Sequence, residues 1–305
     1  MTLAVNDSLK TVGLVGTGKL GSAIAQRLIE THHHVYIWNR TRDKAQHLND
    51  LGAVWCNSPI EMTQQVDVVL SILTDAEAID DVYFGSNGLL TGNNKNKIFV
   101  EMSTVRPESQ VKLNQRILAK GSRMVESPVG GTSTTALKGQ LMAMVGGLDE
   151  DIENVRPLLS HLCRRIEYAG PIGAGASLKL AINLPLIVYW QALAEALTLV
   201  DHLNIDPARM ISILSESSGG PNMLRMRGDA IVRALQEKDT GPAHFTIATL
   251  TKDLKAMCEE AKGLGSSLPL VEAALHSFER LSDQPHAVDG IKLPALWLQH
   301  FRSQQ

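Results

Sequence analysis

A lysine and an asparagine four residues apart in an otherwise apolar stretch form the first pairing able to do chemistry. In GAGASLKLAIN, Lys179 and Asn183 fall on one face of a helix, and neither suits an apolar helix without a purpose. A lysine amine beside a carbonyl oxygen can give its proton to the alkoxide formed on reduction, or take one in the reverse direction, while an amide fixes orientation. Such work near neutrality requires burial to lower the amine's affinity for its proton. The same spacing also fits a lysine snorkelling from a helix end beside a capping asparagine.

The second candidate is the loop Gly16-Thr17-Gly18-Lys19-Leu20-Gly21. GxGxxG alone is weak, but here Val12, Leu14 and Val15 form a strand before it, a helix begins near Leu20, and a second strand, VYIW, follows at βαβ distance. Gly16 permits a tight turn, Gly18 lets backbone amides approach a pyrophosphate, and Gly21 allows close packing of helix on strand. The helix N-terminus adds partial positive charge. An acidic residue ending the second strand would select NAD through its ribose hydroxyls. The sequence there reads Trp38-Asn39-Arg40-Thr41-Arg42, with guanidinium and hydroxyl groups suited to a 2′-phosphate, so the expected cofactor is NADP. Solvated loop arginines are the plainer alternative. His32-His33-His34 cannot all face one metal from an extended turn and reads as a surface turn.

The elements that must position these residues follow from periodicity. Between residues 11 and about 168, TVGLVG, VYIW, DVVLSIL, KIFVEMS, SRMVESPV and LMAMVGG read as strands alternating with amphipathic segments, which predicts a mainly parallel sheet. Ser22 to Glu30 and Pro107 to Lys120 have helical spacing. From about Gly175 to Leu203 the chain is apolar round most of a helix, roughly 43 Å long at 1.5 Å per residue, with Pro185 predicting a kink. Such a helix is expected to be buried. Shorter helices follow, broken at Asp206-Pro207, Ser217 to Pro221 and Ser266-Ser267. The expected architecture is an α/β Rossmann-type N-terminal domain, 1–168, linked by the long helix to an all-α C-terminal domain, 169–305.

Composition sets the outer limits. A chain of 305 residues with 44% hydrophobic and 20% charged residues has ordinary globular make-up, and a formal charge of -3 gives no electrostatic reason to expect nucleic acid. Cys56, Cys163 and Cys258 are widely spaced and odd in number, so reduced thiols in a cytoplasmic protein are expected, with neither a disulfide framework nor a metal site. No uninterrupted apolar run of 18 residues suggests a membrane span. The first ten and last five or so residues look frayed.

Four blocks in order carry a resemblance: GLVGTGKLGSAIAQRL, ESPVGGTSTTALKGQLMAMVGG from Glu126, GAGASLKLAIN from Gly173 and TKDLKAM from Thr251. Over nearly its whole length the chain resembles the β-hydroxyacid dehydrogenases, which include 3-hydroxyisobutyrate dehydrogenase and the tartronate semialdehyde, succinic semialdehyde and glyoxylate reductases. The resemblance implies that Lys179 is the catalytic lysine and Asn183 its companion. It implies that Gly130-Gly131-Thr132 is the turn whose amides hold a substrate carboxylate. Leu73, Thr74 and Thr104 match positions lining the cofactor, Lys252 a lysine reaching it, and Phe245 an aromatic covering the nicotinamide. Where most relatives carry serine this chain has Gly130, removing one hydroxyl for the carboxylate. His32 replaces a common turn glycine, at small cost because histidine tolerates positive φ better than most residues.

The expected reaction is hydride transfer between NADPH and a small aldehyde or ketone acid in an interdomain cleft, by a homodimer or homotetramer. An imine reductase on the same fold is the enzymatic alternative; it generally lacks the lysine. A 6-phosphogluconate dehydrogenase would need a larger helical domain. From another class, a non-catalytic NADP-binding sensor or scaffold would be marked by replacement of the lysine.

Overall fold

The computed structural model describes residues 11–241, 243, 245–281 and 288–303. The terminal segments expected to fray fall largely outside this range.

Among the described residues nine strands occur: β1 Thr11–Val15, β2 His34–Trp38, β3 Val54–Trp55, β4 Val68–Ser71, β5 Ile98–Glu101, β6 Arg123–Glu126, β7 Val129–Gly130, β8 Leu141–Gly146 and β9 Cys163–Gly170. They form one sheet in the order β3-β2-β1-β4-β5-β6-β8-β7, with β9 also paired to β8. From β3 to β6 every pairing is parallel. β8 runs antiparallel to β6 and β7, and β9 runs parallel to β8. A mainly parallel Rossmann-type sheet is therefore present, with its antiparallel part confined to one end.

The helices among the described residues are α1 Lys19–Glu30, α2 Gln46–Asp50, α3 Pro59–Gln65, α4 Ala76–Phe84, α5 Pro107–Leu118, α6 Ser133–Leu137, α7 Asp149–Leu162, α8 Ala174–Val200, α9 Pro207–Glu216, α10 Asn222–Leu235, α11 Ile247–Gly263, α12 Pro269–Glu279 and α13 Leu293–Arg302. Helices cover both faces of the sheet, so its strands are continuously apolar and alternate between two cores. Val12, Leu14, Leu70, Val100 and Val125 face one core, shared with α1 and α7. Val15, Val69, Phe99 and Met124 face the other, shared with α3, α4 and α5.

Two strands escaped the pattern. β3 has only two residues, and β9, CRRIEYAG, carries a charged, partly exposed surface in place of an apolar run. The segment SRMVESPV is two strands, because Pro128 cannot continue a ladder. His32 adopts φ 66°, the left-handed geometry expected at the turn into β2. All three cysteines are free thiols.

The chain divides into two compact units, Met1–Lys179 and Leu180–Gln305, with the boundary inside α8. The first turn of α8 is tied to the sheet, since the Gly175 N–H donates to the Glu126 carboxylate at the end of β6. The second unit is helical, with Ile187, Trp190, Leu193 and Leu197 of α8 packed among Leu224, Leu250, Leu254 and Phe278. The three breaks expected from turn residues are present, and Asp206, for example, accepts the Arg209 N–H to start α9; the ends of α10 at Leu235 and α12 at Glu279 were not anticipated.

α8 is less uniformly covered than its composition predicts: Leu178, Ile182 and Leu199 are exposed. The stretch Ala174–Leu203 is also long and apolar enough to cross a membrane by length and composition alone, with 44% of its most apolar window buried. The absence of an uninterrupted apolar run therefore does not by itself separate this helix from a span.

Candidate active site

In the first unit, the carboxyl ends of β1, β4 and β5 lie side by side and carry the glycine loop, Leu73-Thr74 and Ser103-Thr104. Gly16 has φ 91°, and a Cβ there would strike the Ile72 carbonyl; its N–H donates to Trp38 O at 3.1 Å. A Cβ on Gly21 would strike the Gly16 carbonyl, so helix and loop meet backbone to backbone. Gly18, at the N-cap of α1, differs: a Cβ there would meet nothing within 4 Å. Thr17 is buried with its hydroxyl unpartnered within the protein. An open approach at Gly18, an orphaned hydroxyl beside it and a helix N-terminus fit a dinucleotide pyrophosphate. Lys19 is exposed beside them, and Leu20 packs inward on the core.

The end of β2 is joined to this loop. Asn39 Oδ1 accepts the Thr17 N–H at 3.1 Å, while its Nδ2 donates to Thr41 O at 2.8 Å. Arg40 and Thr41 are exposed, and the Arg42 guanidinium stands 5.4 Å from the Trp55 ring centroid, a cation–π arrangement. Asn39 thus serves first as a clamp between strand and glycine loop.

A buried chain of bonds behind the other two loops was not read from the sequence. The Leu73 N–H donates to Ser103 Oγ at 2.7 Å, and the Ser103 N–H donates to Glu101 Oε1 at 2.7 Å. Ser71 Oγ donates to Glu101 Oε2 and lies 2.7 Å from the Tyr83 hydroxyl. Burial pushes the Glu101 carboxyl above its ordinary range, while bonds from Ser103 and Ser71 oppose that rise. The network fixes Leu73, and with it the start of Thr74, against the segment carrying Thr104. The available signal was a carboxylate ending an apolar strand, IFVE.

At Gly130-Gly131-Thr132 the geometry is mixed. Gly131 has φ 134° and no room for a side chain against Thr135 and Leu141. Gly130 has ordinary backbone, and a Cβ would sit 3.7 Å from the Met142 methyl, which is normal contact. The Thr132 N–H is engaged by Thr135 Oγ1 at 2.7 Å, so this amide is committed to the turn itself.

Lys179 is 8% exposed on α8, near the sheet end that holds its first turn. In the second unit Asn183 is buried, and its Nδ2 donates to Asp253 Oδ2 at 3.0 Å. Lys252 Nζ is 3.2 Å from Asp253 Oδ1, close enough for an ion pair but not aligned for a hydrogen bond. Asn183, Asp253 and Lys252 thus form one cluster, of which Asp253 was missed; an acid beside a lysine in TKDL reads as an ordinary surface pair. Phe245 is half-buried against the helical core, its carbonyl accepting the Gly290 N–H at 2.8 Å. Among the described residues no group of three or more His, Cys, Asp or Glu could hold a metal ion.

The glycine loop at the carboxyl edge of a parallel sheet defines a dinucleotide-binding protein. Residues 11–170 match the family described as the NAD binding domain of 6-phosphogluconate dehydrogenase, and 173–291 match that described as NAD-binding of NADP-dependent 3-hydroxyisobutyrate dehydrogenase. The chain is 30% identical to glyoxylate/succinic semialdehyde reductase 2, chloroplastic, of Arabidopsis thaliana, over 90% of this chain and 75% of that protein. It is similar to the solved structure of Psf3 in complex with NADP+ and 2-OPP, at 26% identity and TM-score 0.83 over 93% of this chain and 99% of the other. A likeness in fold extends to an imine reductase of Streptomyces aurantiacus, at 20% identity and TM-score 0.62 over 94% and 99% of the two chains. The chain belongs to the β-hydroxyacid dehydrogenase family. It is an oxidoreductase of the hydroxyacid or semialdehyde reductase type, acting on hydroxyl or carbonyl groups with a nicotinamide cofactor.

Proposed function

We propose that this chain is an NADP-dependent reductase of small aldehydes or ketones bearing an acid group, with Lys179 as proton donor. The observation that carries this reading is the pairing of buried Lys179 and Asn183 one turn apart on α8, with the Asn183 amide held by Asp253. A lysine merely snorkelling from a helix end would keep its amine in water. When bound, the nicotinamide supplies the hydride. Lys179 delivers the proton to the substrate oxygen, and Asn183, its Nδ2 held by Asp253, helps to orient the reacting groups. Gly130 and Gly131 offer the carboxylate a turn without side chains.

Preference for NADP is supported by what ends β2. Asn39 spends its oxygen on the Thr17 N–H, no carboxylate is present to take ribose hydroxyls, and Arg40 is exposed beside the loop. Free thiols suit a reducing, cytoplasmic setting, and the exposed Leu178 and Ile182 of α8 support association as a dimer or tetramer.

Oxidation of NADPH with glyoxylate, succinic semialdehyde and a cyclic imine tests the reading. Turnover of an acid aldehyde that falls by about 100-fold or more in Lys179→Ala is expected; unchanged turnover would sink the assignment. Arg40→Ala should raise KM for NADPH and leave KM for NADH unaffected. Gly130 favours the imine reductase as a second reading, because the family's serine for a carboxylate is absent there; turnover of the cyclic imine alone would select it.

A further inference from the structure

Glu126 ends β6 and is fully buried, in register with Glu101 on β5. Its Oε1 accepts the Gly175 N–H at 2.5 Å, in the first turn of α8. The carboxylate has a cavity built for it, since a Cβ on Gly146 would strike Oε1 and one on Gly175 would come within 3.0 Å of it. Its second oxygen is buried without a protein partner. Gly175 precedes Lys179 by four residues, one helical turn.

We propose that Glu126 is a positioning residue, its carboxylate gripping the first turn of α8 and thereby setting where Lys179 stands. This rests on the reading of Lys179 as proton donor. A negative charge at a helix N-terminus is favourable because that end carries unpaired N–H groups and partial positive charge. Burial outweighs that advantage: it pushes the Glu126 carboxyl up to about 7, although the Gly175, Gly173 and Ala176 amides pull the other way. Deprotonation strengthens the individual amide bonds but makes burial of the carboxylate costly, so the first turn of α8 opens to water more readily as pH rises through about 7. Of the surrounding elements, β5 offers Glu101, itself held to Ser71 and Ser103; β8 and Pro171 to Gly173 carry no titratable residue. The charged residues of α5, Glu108, Lys112 and Arg116, are exposed, and α8 offers Lys179.

The test compares wild type with Glu126→Gln and Glu126→Asp. Gln keeps an oxygen for the Gly175 N–H but loses the charge, and should lower kcat about tenfold or more with KM for NADPH held within about twofold. The inflection near 7 in the wild-type kcat profile should vanish in Gln and persist in Asp, which keeps the charge on a shorter stem. Hydrogen-exchange protection across 173–179, corrected for intrinsic exchange, should fall as pH rises through the same range in wild type and Asp and stay flat in Gln. Exchange needs no turnover. If wild type reduced no carbonyl compound, the functional reading would fail while exchange still judged Glu126. Wild-type kcat with its inflection intact in Gln, or protection that ignores pH in wild type, overturns the proposal. Should Gln not fold, wild type and Asp decide it by exchange.

Discussion

The two glycine turns of the first unit look alike in sequence and differ in what compels them. At Gly16 and Gly21 the protein's own backbone leaves no room for a side chain, so these residues are fixed by folding. At Gly18 the space is open, and nothing in the surrounding fold compels a glycine. In the Gly130-Gly131 turn only Gly131 is compelled, by φ 134° and by Thr135; Gly130 would accept a side chain. A pattern of glycines thus mixes two kinds of position: those compelled by chain geometry and those the fold leaves open to a side chain. Gly130 belongs to the second kind, and it is there that the family resemblance implies a serine.

The comparison breaks most visibly at Gly21. Gly21→Ala should cost about 3 kcal/mol or more in thermal or denaturant unfolding, as overpacking against a backbone carbonyl that cannot step aside. Retained stability would mean that the loop shifts freely and that its glycines are not structurally forced.

A smaller effect sharpens the second turn, which Glu126 opens. With its carboxyl raised by burial from 4.5 to about 7, the folded chain holds a proton that the unfolded chain has released between those values. Its contribution to stability is therefore full at low pH and declines as pH rises through that window, by at most about 3 kcal/mol. Urea unfolding across this range should show the decline in wild type and lose it in Glu126→Gln. The group that positions α8 would then do so at some expense to the fold.

The smallest expected effect is at Gly130. Gly130→Ser should change stability by no more than about 0.5 kcal/mol and lower KM for a carboxylate-bearing substrate several-fold, read from a saturation curve. A large loss of stability would place Gly130 with Gly16 and Gly21 and erase the contrast.

Much of this was legible in the sequence because it repeats. Two-sided burial writes the central strands as apolar runs, and caps such as Asp206-Pro207 mark helix starts with their own chemistry. β9 was invisible because a partly exposed strand need not be apolar, and its place is set by pairing with β8. Among site residues, the glycine loop and Lys179 announced themselves by spacing or by standing out from apolar surroundings. Glu101, Glu126 and Asp253 did not: their roles arise from partners 30, 49 and 70 residues away, at Ser71, Gly175 and Asn183, which no local pattern encodes.

The Arg42–Trp55 stack has a practical outcome. Trp38 and Trp55 lie in the first unit, by the end of β2, while Trp190 and Trp297 belong to the second unit. Reduced nicotinamide absorbs where indole emits, so the protein carries its own optical gauge of occupancy. Replacing Trp190 and Trp297 with phenylalanine would leave a signal arising solely beside the end of β2, and titrating either dinucleotide against it would rank the two without any substrate being known.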